Sequence, residues 1–277
     1  VGMNLVQRVS LCDLLGGGVS PNTFTFPLFF WFNKYPGLSL PLVALQYHDV
    51  KLNIQIADFT VLERIAILLN IPEELNIPVS QLKDLFKITD MRIWCDYIFL
   101  DTDERRRFAQ ISHEYLIEQV QFSNPITLGD FYGDNKSRVY DIELRFNHPI
   151  KEIYWFIHNI NGVMGIVAND AKLQFNGQDR FQTRTGNYFT EVQKFQHHNT
   201  LNVINVHSYS FAITPDDFQP SGTCNFSRID NAYLILNIGA KIGLQPALIG
   251  KYYMSVYAVN YNVLRIMSGM AGIAYSN

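Results

Sequence analysis

Alternating hydrophobic and polar positions recur along the chain and predict β-strands. Residues 50–56 place a hydrophobic side chain at every second position, a period that turns one face of a strand to a core and the other to water. Aromatic and β-branched residues, which favour strands, dominate the other strand segments. We predict strands at 25–33, 40–56, 92–100, 115–122, 139–146, 152–158, 171–175, 203–213, 232–238 and 252–267.

The hydrophobic period changes in a few places, which predict short helices. Helical runs interrupted by Pro72 and Pro78 indicate a linker at 61–86 with one or two short helices. The acidic run 101–104 precedes three arginines, an order that predicts a helix beginning with Asp101 or Thr102 as its cap. A further short helix is predicted at 188–193.

The predicted elements indicate an all-β chain with few short helices. From residue 92 onward there are about eight strands, the number found in a jelly roll built from two Greek keys. Only two or three strands precede the linker. The pattern therefore predicts a jelly-roll β-sandwich in the C-terminal part of the chain.

The composition fits a protein that buries much of its surface. Hydrophobic residues make up 48% and aromatic residues 14%, whereas charged residues make up 17%, below the roughly 25% of ordinary globular domains. A large all-β core would produce the same bias. The net charge of −3 lacks the basic excess of proteins that bind nucleic acid extensively. We therefore expect no direct, extensive nucleic-acid partner.

The cysteines and the hydrophobic runs bear on the compartment. Cys12, Cys95 and Cys224 are an odd number and widely spaced, which predicts reduced thiols and assembly in a cytoplasm rather than a disulfide framework. No run approaches the roughly 18 apolar residues of a membrane helix, so we expect no transmembrane segment. The chain starts at Val1 without a signal-peptide pattern, and we expect further residues before it.

The search for catalytic and metal-binding motifs predicts no enzyme, no cofactor and no metal. Neighbours on a strand point to opposite faces, so His197 and His198 cannot chelate one ion there, and no third ligand is evident. A P-loop and a GxGxxG motif are both missing. Residues 266–270 miss the G-x-S-x-G nucleophile motif because Ile266 stands at its first glycine.

Residues 220–232 fit no simple rule for a helix or a strand. This segment, called here the signature segment, resembles the characteristic segment of the major capsid proteins of nucleocytoplasmic large DNA viruses. Six further segments resemble that family in the same order: 31–38, 40–50, 97–110, 113–120, 146–149 and 261–277. The residues that carry the resemblance in the signature segment are Pro220, Ser221, Gly222, Thr223, Cys224, Asn225, Phe226, Ser227, Arg228 and Asp230.

The resemblance implies a double jelly roll with a structural role in a virion. Three subunits would form a pseudo-hexagonal capsomer, and capsomers would tile an icosahedral capsid assembled in the host cytoplasm. Partners would be the chain itself as a homotrimer, neighbouring capsomers and minor capsid proteins. Residues 1–60 would be the last strands of a first jelly roll, 61–90 a helical linker and 91–277 a complete second jelly roll.

The chemistry of the signature segment allows two roles. Pro220, Ser221 and Gly222 predict a tight turn, and Asn225 offers a side chain for a local hydrogen bond. We expect Arg228 to pair with a carboxylate, for which Asp230 is one candidate. The segment could cross between strands of its own barrel, or it could contact a neighbouring subunit.

A carbohydrate-binding or host-attachment jelly roll is the alternative function. Trp155, Tyr188 and the loop 159–162 could bind a sugar, although the strand around Trp155 favours core packing. Asn135 and Asn225 each begin an N-x-S sequon, which matters only in a secreted protein.

Overall fold

The structure is a computed structural model that describes residues 27–54, 90–130, 137–159, 164–199, 205–239 and 251–275. The chain divides into two compact units, Val1–Ile111 and Ser112–Asn277. No helix in these described ranges is long and apolar enough to cross a membrane. The predicted linker at 61–86 lies outside the described residues.

The described part of the first unit contains short helices and no strand. Single 3-10 turns form at Trp31–Asn33, Pro36–Leu38 and Leu42–Ala44, and residues 50–54 and 90–100 have no regular structure. The predicted strands at 25–33, 40–56 and 92–100 are therefore wrong wherever the structure describes them. Hydrophobic alternation makes a strand only where a neighbour completes the hydrogen-bond ladder, and no described strand pairs with these segments.

The predicted helix after residue 101 is confirmed. Helix α1 (Thr102–Gln110) begins with a capping box in which the Asp101 side chain accepts a hydrogen bond from the backbone and Glu104 accepts one from the Asp101 amide. Capping of this kind satisfies amide groups that have no partner within the helix. None of the helix residues is buried.

The described part of the second unit consists mainly of strands. They are β1 (His113–Phe122), β2 (Ile126–Asp130), β3 (Arg138–Glu143), β4 (Pro149–Asn159), β5 (Met164–Ile166), β6 (Asp170–Phe175), β7 (Gln178–Asp179), β8 (Arg184–Thr185), β9 (His207–Ser210), β10 (Cys224–Asn225), β11 (Ala232–Ile238), β12 (Lys251–Met267) and β13 (Met270–Ile273).

These strands form two antiparallel sheets. Sheet A has the order β1-β12-β4-β10, with β2 and β13 beside β12 and with β5 and β9 beside β4. Sheet B has the order β3-β11-β6, and β7 and β8 both pair with β6. The long strand β12 is central in sheet A because it pairs with β4 and β1 along most of its length.

Side chains from both sheets share one hydrophobic core. Every second residue of β11 is buried, and Leu234 and Leu236 are fully covered. Sheet A contributes Trp155 and Ile157 from β4 and Met254 from β12 to the same cluster. Two sheets that bury alternate residues against each other form a sandwich, so the predicted all-β class is confirmed.

Most of the strand predictions after residue 112 are confirmed. Strands β1, β3, β4, β6, β11 and β12 overlap the predicted segments. Strand β9 is shorter than the predicted 203–213, of which 203–204 lie outside the described residues. The helix predicted at 188–193 is also confirmed, because a π-helical turn at Tyr188–Val192 continues into α2 (Gln193–His197).

Candidate functional site

The signature segment crosses from one sheet of the sandwich to the other. Its residues Cys224–Asn225 form β10, which pairs with β4 in sheet A. A 3-10 turn, Phe226–Arg228, follows, and Ala232 then begins β11 in sheet B. The segment fits no single strand pattern because it contributes first to sheet A and then to sheet B.

The predicted tight turn at Pro220–Gly222 is wrong, because residues 220–223 form neither a turn nor a bend, and a serine and a glycine fix this part of the segment instead. The Ser221 hydroxyl accepts a hydrogen bond from the Thr214 amide at 2.9 Å, and its oxygen lies 3.2 Å from the Thr214 carbonyl, to which it donates. Gly222 has φ +147°, and a Cβ at this position would lie 2.7 Å from the carbonyl oxygen of Phe211. Only glycine fits this close approach without a shift of the backbone.

The middle of the segment is tied to the start of β4. The Asn225 side chain accepts a hydrogen bond from the Ser227 amide at 3.1 Å, which confirms the predicted local role of this asparagine. The Ser227 hydroxyl accepts one from the His148 amide at 2.8 Å. The Phe226 amide donates to the His148 carbonyl at 3.1 Å. These bonds hold the turn against sheet A.

Phe226 anchors the segment in the core. Its side chain is 3% exposed, and its ring centroid lies 5.5 Å from that of Phe175 in an edge-to-face arrangement. The rings of Phe146 and Phe211 lie 6.4 and 6.0 Å away. Aromatic clusters of this geometry combine large apolar burial with favourable ring electrostatics. The turn therefore contributes a structural contact between the two sheets.

The polar end of the segment faces solvent. Arg228 and Asp230 are exposed, and among the described residues Arg228 forms no ion pair with Asp230 or with any other carboxylate. The expected pairing of Arg228 is therefore wrong in the part of the chain that the structure describes.

Pro220 and Thr223 of the segment are also exposed. The Cys224 thiol is half-buried, and this burial raises its pKa.

A second polar feature, which the sequence analysis missed, includes Lys151, Glu152 and Tyr154 of β4. The buried ionic cluster, as we call it here, contains Glu118, Lys151, Glu152, Tyr154, His198 and Asp216. The ladder between β4 and β12 shifts register at Lys151, since Val259 pairs with Glu152 and Asn260 with Ile150. Such a bulge re-aims side chains, and Lys151 and Glu152 are both buried.

Lys151 connects three elements within this cluster. Its ammonium group donates to the Glu118 carboxylate of β1 and, at 2.8 Å, to the backbone carbonyl of Pro215. It also lies 5.7 Å from the centre of the Tyr261 ring. A buried charge needs such partners because removal from water is costly.

His198 bridges two carboxylates. Its Nε2 lies 2.6 Å from Glu152 Oε1, and its Nδ1 lies 2.9 Å from Asp216 Oδ1. Ionised carboxylates only accept hydrogen bonds, so both ring nitrogens donate when the imidazole is protonated. The hydrogen bond to Glu152 raises the pKa of His198 above 6.5, against the opposing effect of burial.

The two carboxylates have further donors of their own. The Tyr154 hydroxyl donates to Glu152 at 2.7 Å, and the Asn199 amide donates to Asp216 at 3.1 Å. Burial opposes ionisation of Asp216, but the hydrogen bonds from His198 and Asn199 outweigh it and lower the pKa of Asp216. Burial and the neighbouring Glu152 charge raise the pKa of Tyr154, which keeps the phenol neutral.

The neighbouring histidines do not form a chelating pair. His197 Nδ1 lies 2.9 Å from the carbonyl oxygen of Ile213, whereas both nitrogens of His198 already contact carboxylates. Within the described ranges, no group of three or more His, Cys, Asp or Glu side chains could hold a metal ion. The arrangement is that of an ion-paired structural cluster.

The two aromatic side chains considered for sugar binding, Trp155 and Tyr188, are engaged in packing among the described residues. Trp155 is fully buried and stacks on His207 with ring centroids 5.4 Å apart. Tyr188 packs edge-to-face on Phe189, and its hydroxyl accepts a hydrogen bond from Gln193. Residues 160–162 and the sequon at Asn135 lie outside the described residues. Trp155 therefore cannot stack on a sugar.

Comparison with known proteins shows a consistent family relationship. The family model for the large eukaryotic DNA virus major capsid protein matches residues 104–272. The model for the major capsid protein N-terminus matches residues 16–101. The major capsid protein of Pyramimonas orientalis virus is 41% identical over 95% of this chain and 63% of its own length. That of Paramecium bursaria Chlorella virus 1 is 39% identical over 92% of this chain and 67% of its own length.

Solved structures agree with the sequence relatives. A crystal structure of PBCV-1 VP54, fitted into a cryo-EM reconstruction of the virophage Sputnik, has a TM-score of 0.71 and 36% identity and covers 92% of this chain and 70% of its own. The quasi-atomic model of the PBCV-1 virus capsid has a TM-score of 0.68 and 35% identity at the same coverage.

The extent and the specificity of these matches decide the classification. The chain spans 63% and 67% of the length of the two curated relatives named above. The likeness to jelly-roll capsid structures confirms the predicted fold class. The chain belongs to the major capsid protein family of large eukaryotic DNA viruses.

Proposed function

We propose that this chain is a structural subunit of a viral capsid and not an enzyme. The observation that carries the proposal is the likeness to a capsid structure at a TM-score of 0.68 over 92% of the chain. The signature segment and the buried ionic cluster are engaged in internal hydrogen bonds and packing, as expected for a structural protein. The subunit would lie in the virion shell after assembly in the host cytoplasm.

The subunit would assemble as a homotrimer. Three copies with two similar barrels each would give a capsomer of pseudo-hexagonal outline, and head-to-tail contacts around a threefold axis close into a ring. Capsomers would then contact one another in an icosahedral capsid, with minor capsid proteins as further partners. In this arrangement, residues 1–60 would end the first jelly roll, 61–90 would link the barrels and 91–277 would form the second, although residues 27–54 and 90–100 contain no strand in the structure.

Exposed apolar side chains support an assembling protein. Trp94 is 85% exposed, Phe99 is 94% exposed and Tyr47 is 78% exposed. Large aromatic side chains exposed to this extent are typical of surfaces that another chain or segment covers. A shell subunit covers a large part of its surface on assembly, whereas a free monomer would leave these groups in water.

The signature segment would act first within its own barrel. The hydrogen bonds of Ser221 and Asn225 and the burial of Phe226 support this role. Arg228 and Asp230 face solvent and are the residues of the segment that we propose for contacts between subunits. Their charges would pair across an interface better than with each other.

The oligomeric state tests the proposed function. The chain should be expressed with any upstream residues that its gene encodes, and its mass should be measured by sedimentation equilibrium. We expect a particle of three chains. The alanine variants of Arg228 and Asp230 should weaken the trimer if these side chains pair across it. A stable monomer that binds defined sugars on a glycan array would instead favour the carbohydrate-binding alternative.

A further inference from the structure

We propose that His198 is a pH-dependent latch that fastens the loop 211–222 to sheet A. The latch is closed while the imidazole bridges Glu152 and Asp216 as a cation, and it opens on the loop side when the ring loses a proton. Opening of the latch changes the conformation of this loop. This change does not depend on whether the chain is a monomer or part of an assembly.

The latch joins three parts of the fold that are distant in sequence. His198 directly follows α2, Glu152 lies in β4, and Asp216 lies in the loop that leads from β9 to the signature segment. The loop contacts sheet A directly through the amides of Phe211 and Ala212, which donate to the Lys151 carbonyl, and a second contact to the sheet runs from the Asp216 carboxylate through His198 to Glu152. Since His198 holds Asp216, its protonation controls this second contact.

The two carboxylates respond differently to loss of the proton. A neutral imidazole keeps one N–H, so it can donate to only one carboxylate, and the other faces a ring lone pair. The Glu152 side chain is 2% exposed, whereas that of Asp216 is 42% exposed. Tyr154 donates to Glu152 Oε2, so loss of the His198 donor would leave the buried Oε1 atom without a partner, which is costly, whereas Asp216 can exchange its partner for water. The contact to Asp216 is therefore the one that breaks.

The surrounding charges limit the opening to one side of the cluster. Glu152 and Tyr154 face His198 from β4, and Asp216 faces it from the loop. The negative charge of Glu118 in β1 helps to raise the pKa of Tyr154. The positive charge of Lys151 in β4 helps to lower the pKa of Asp216. Lys151 also holds the Pro215 carbonyl, a contact that does not depend on the imidazole. We therefore expect the loop to loosen locally and not to detach.

The direction of the pH effect follows from the bridge. The pKa of His198 is raised above its ordinary value of 6.5, so the stabilisation is complete below 6.5 and is lost as pH rises through the folded-state pKa. The pKa of Asp216 is lowered below 3.8, so its contribution is complete above 3.8 and is lost at more acidic pH. The latch is therefore closed between these limits and opens as pH rises through the raised pKa of His198.

Amide hydrogen exchange tests the latch on the whole chain. The Asn199 amide donates to Asp216 and the Thr214 amide donates to Ser221, so peptides covering 198–199 and 211–222 report on the loop. Exchange should be measured near pH 6 and about pH 9, with labelling times scaled to equal intrinsic rates. Protection in these peptides should be lower at the higher pH, because the neutral ring donates to Glu152 alone and no longer holds Asp216.

Three variants separate the latch from general loosening. Asp216→Asn and His198→Gln should have low protection in these peptides at both pH values. Asp217→Asn removes the same charge one residue further on, from an exposed side chain without a hydrogen bond or ion pair among the described residues, and should behave like the wild type. Unchanged wild-type protection between the two pH values would overturn the proposal, as would equal losses in the Asp216 and Asp217 variants.

Discussion

At the residue scale, two histidines in one sandwich have opposite electrostatic environments. His198 lies between two carboxylates, and the hydrogen bond to Glu152 raises its pKa. His207 is fully buried against the Trp155 ring and accepts a hydrogen bond from the Ala168 amide at 3.3 Å. Burial lowers the pKa of His207 to about 4. Carboxylate partners in the first case and apolar surroundings in the second account for the difference.

His207 should make the chain sensitive to acid. Its folded-state pKa of about 4 lies below the ordinary 6.5, so the unfolded state binds the proton first and stability falls as pH decreases between these values. We predict that His207→Phe, which keeps a ring on Trp155, loses less free energy of unfolding than the wild type between about pH 7 and about pH 4.5. Urea titrations at both pH values measure this difference. An equal loss in both proteins would contradict the assignment.

Gly222 should be irreplaceable for a steric reason. An added Cβ would lie 2.7 Å from the Phe211 carbonyl oxygen, at a φ of +147° that other residues rarely adopt. We predict that Gly222→Ala lowers the free energy of unfolding by about 1–3 kcal/mol. Gly272→Ala is the matched control, because nothing lies within 4 Å of a Cβ there and its φ is not in the positive range. Similar melting temperatures for the two variants would show that the close approach is unimportant.

At the element scale, the sequence predicted the elements whose signals are local or strongly periodic. The cap of α1 needs only Asp101 and Glu104, three residues apart, and the structure has this capping box. Strand β11 spans Ala232–Ile238, the predicted range, and its aromatic and β-branched residues Tyr233, Ile235 and Ile238 favour a strand locally. In both elements the information lies within a few neighbouring residues.

Elements that depend on distant partners were not predictable in this way. Residues 92–100 have the aromatic and branched composition of a strand, yet no described strand pairs with them. The two residues of β10 form a strand only because Ile150 and Pro149 lie beside them. The bridge from Glu152 through His198 to Asp216 spans 46 and 18 sequence positions, and no motif spacing signals it.

The signature segment should stabilise the sandwich mainly through one ring. We predict that Phe226→Ala lowers the free energy of unfolding by about 3–5 kcal/mol, because it leaves a cavity among the rings of Phe146, Phe175 and Phe211. Phe122→Ala makes the same change at a side chain that is 64% exposed and should cost far less. Chemical denaturation measures both. Equal costs would show that the segment is not an anchor between the sheets.

At the scale of the whole molecule, the second unit has a packed core, whereas the described residues of the first unit expose large apolar side chains. The core of the second unit includes fully buried residues from sheets A and B. The described residues of the first unit instead leave large side chains such as Trp94 and Phe99 exposed. Family membership and the likeness to capsid structures indicate why a chain with so little charge would expose such groups: assembly would cover them.

Negative-stain electron microscopy of the purified protein, expressed with any upstream residues its gene encodes, tests the central claim most directly. The account predicts uniform particles of pseudo-hexagonal outline, each with the volume of three chains. Class averages that show only single-chain particles, at concentrations where sedimentation finds no larger species, would contradict the proposed capsomer.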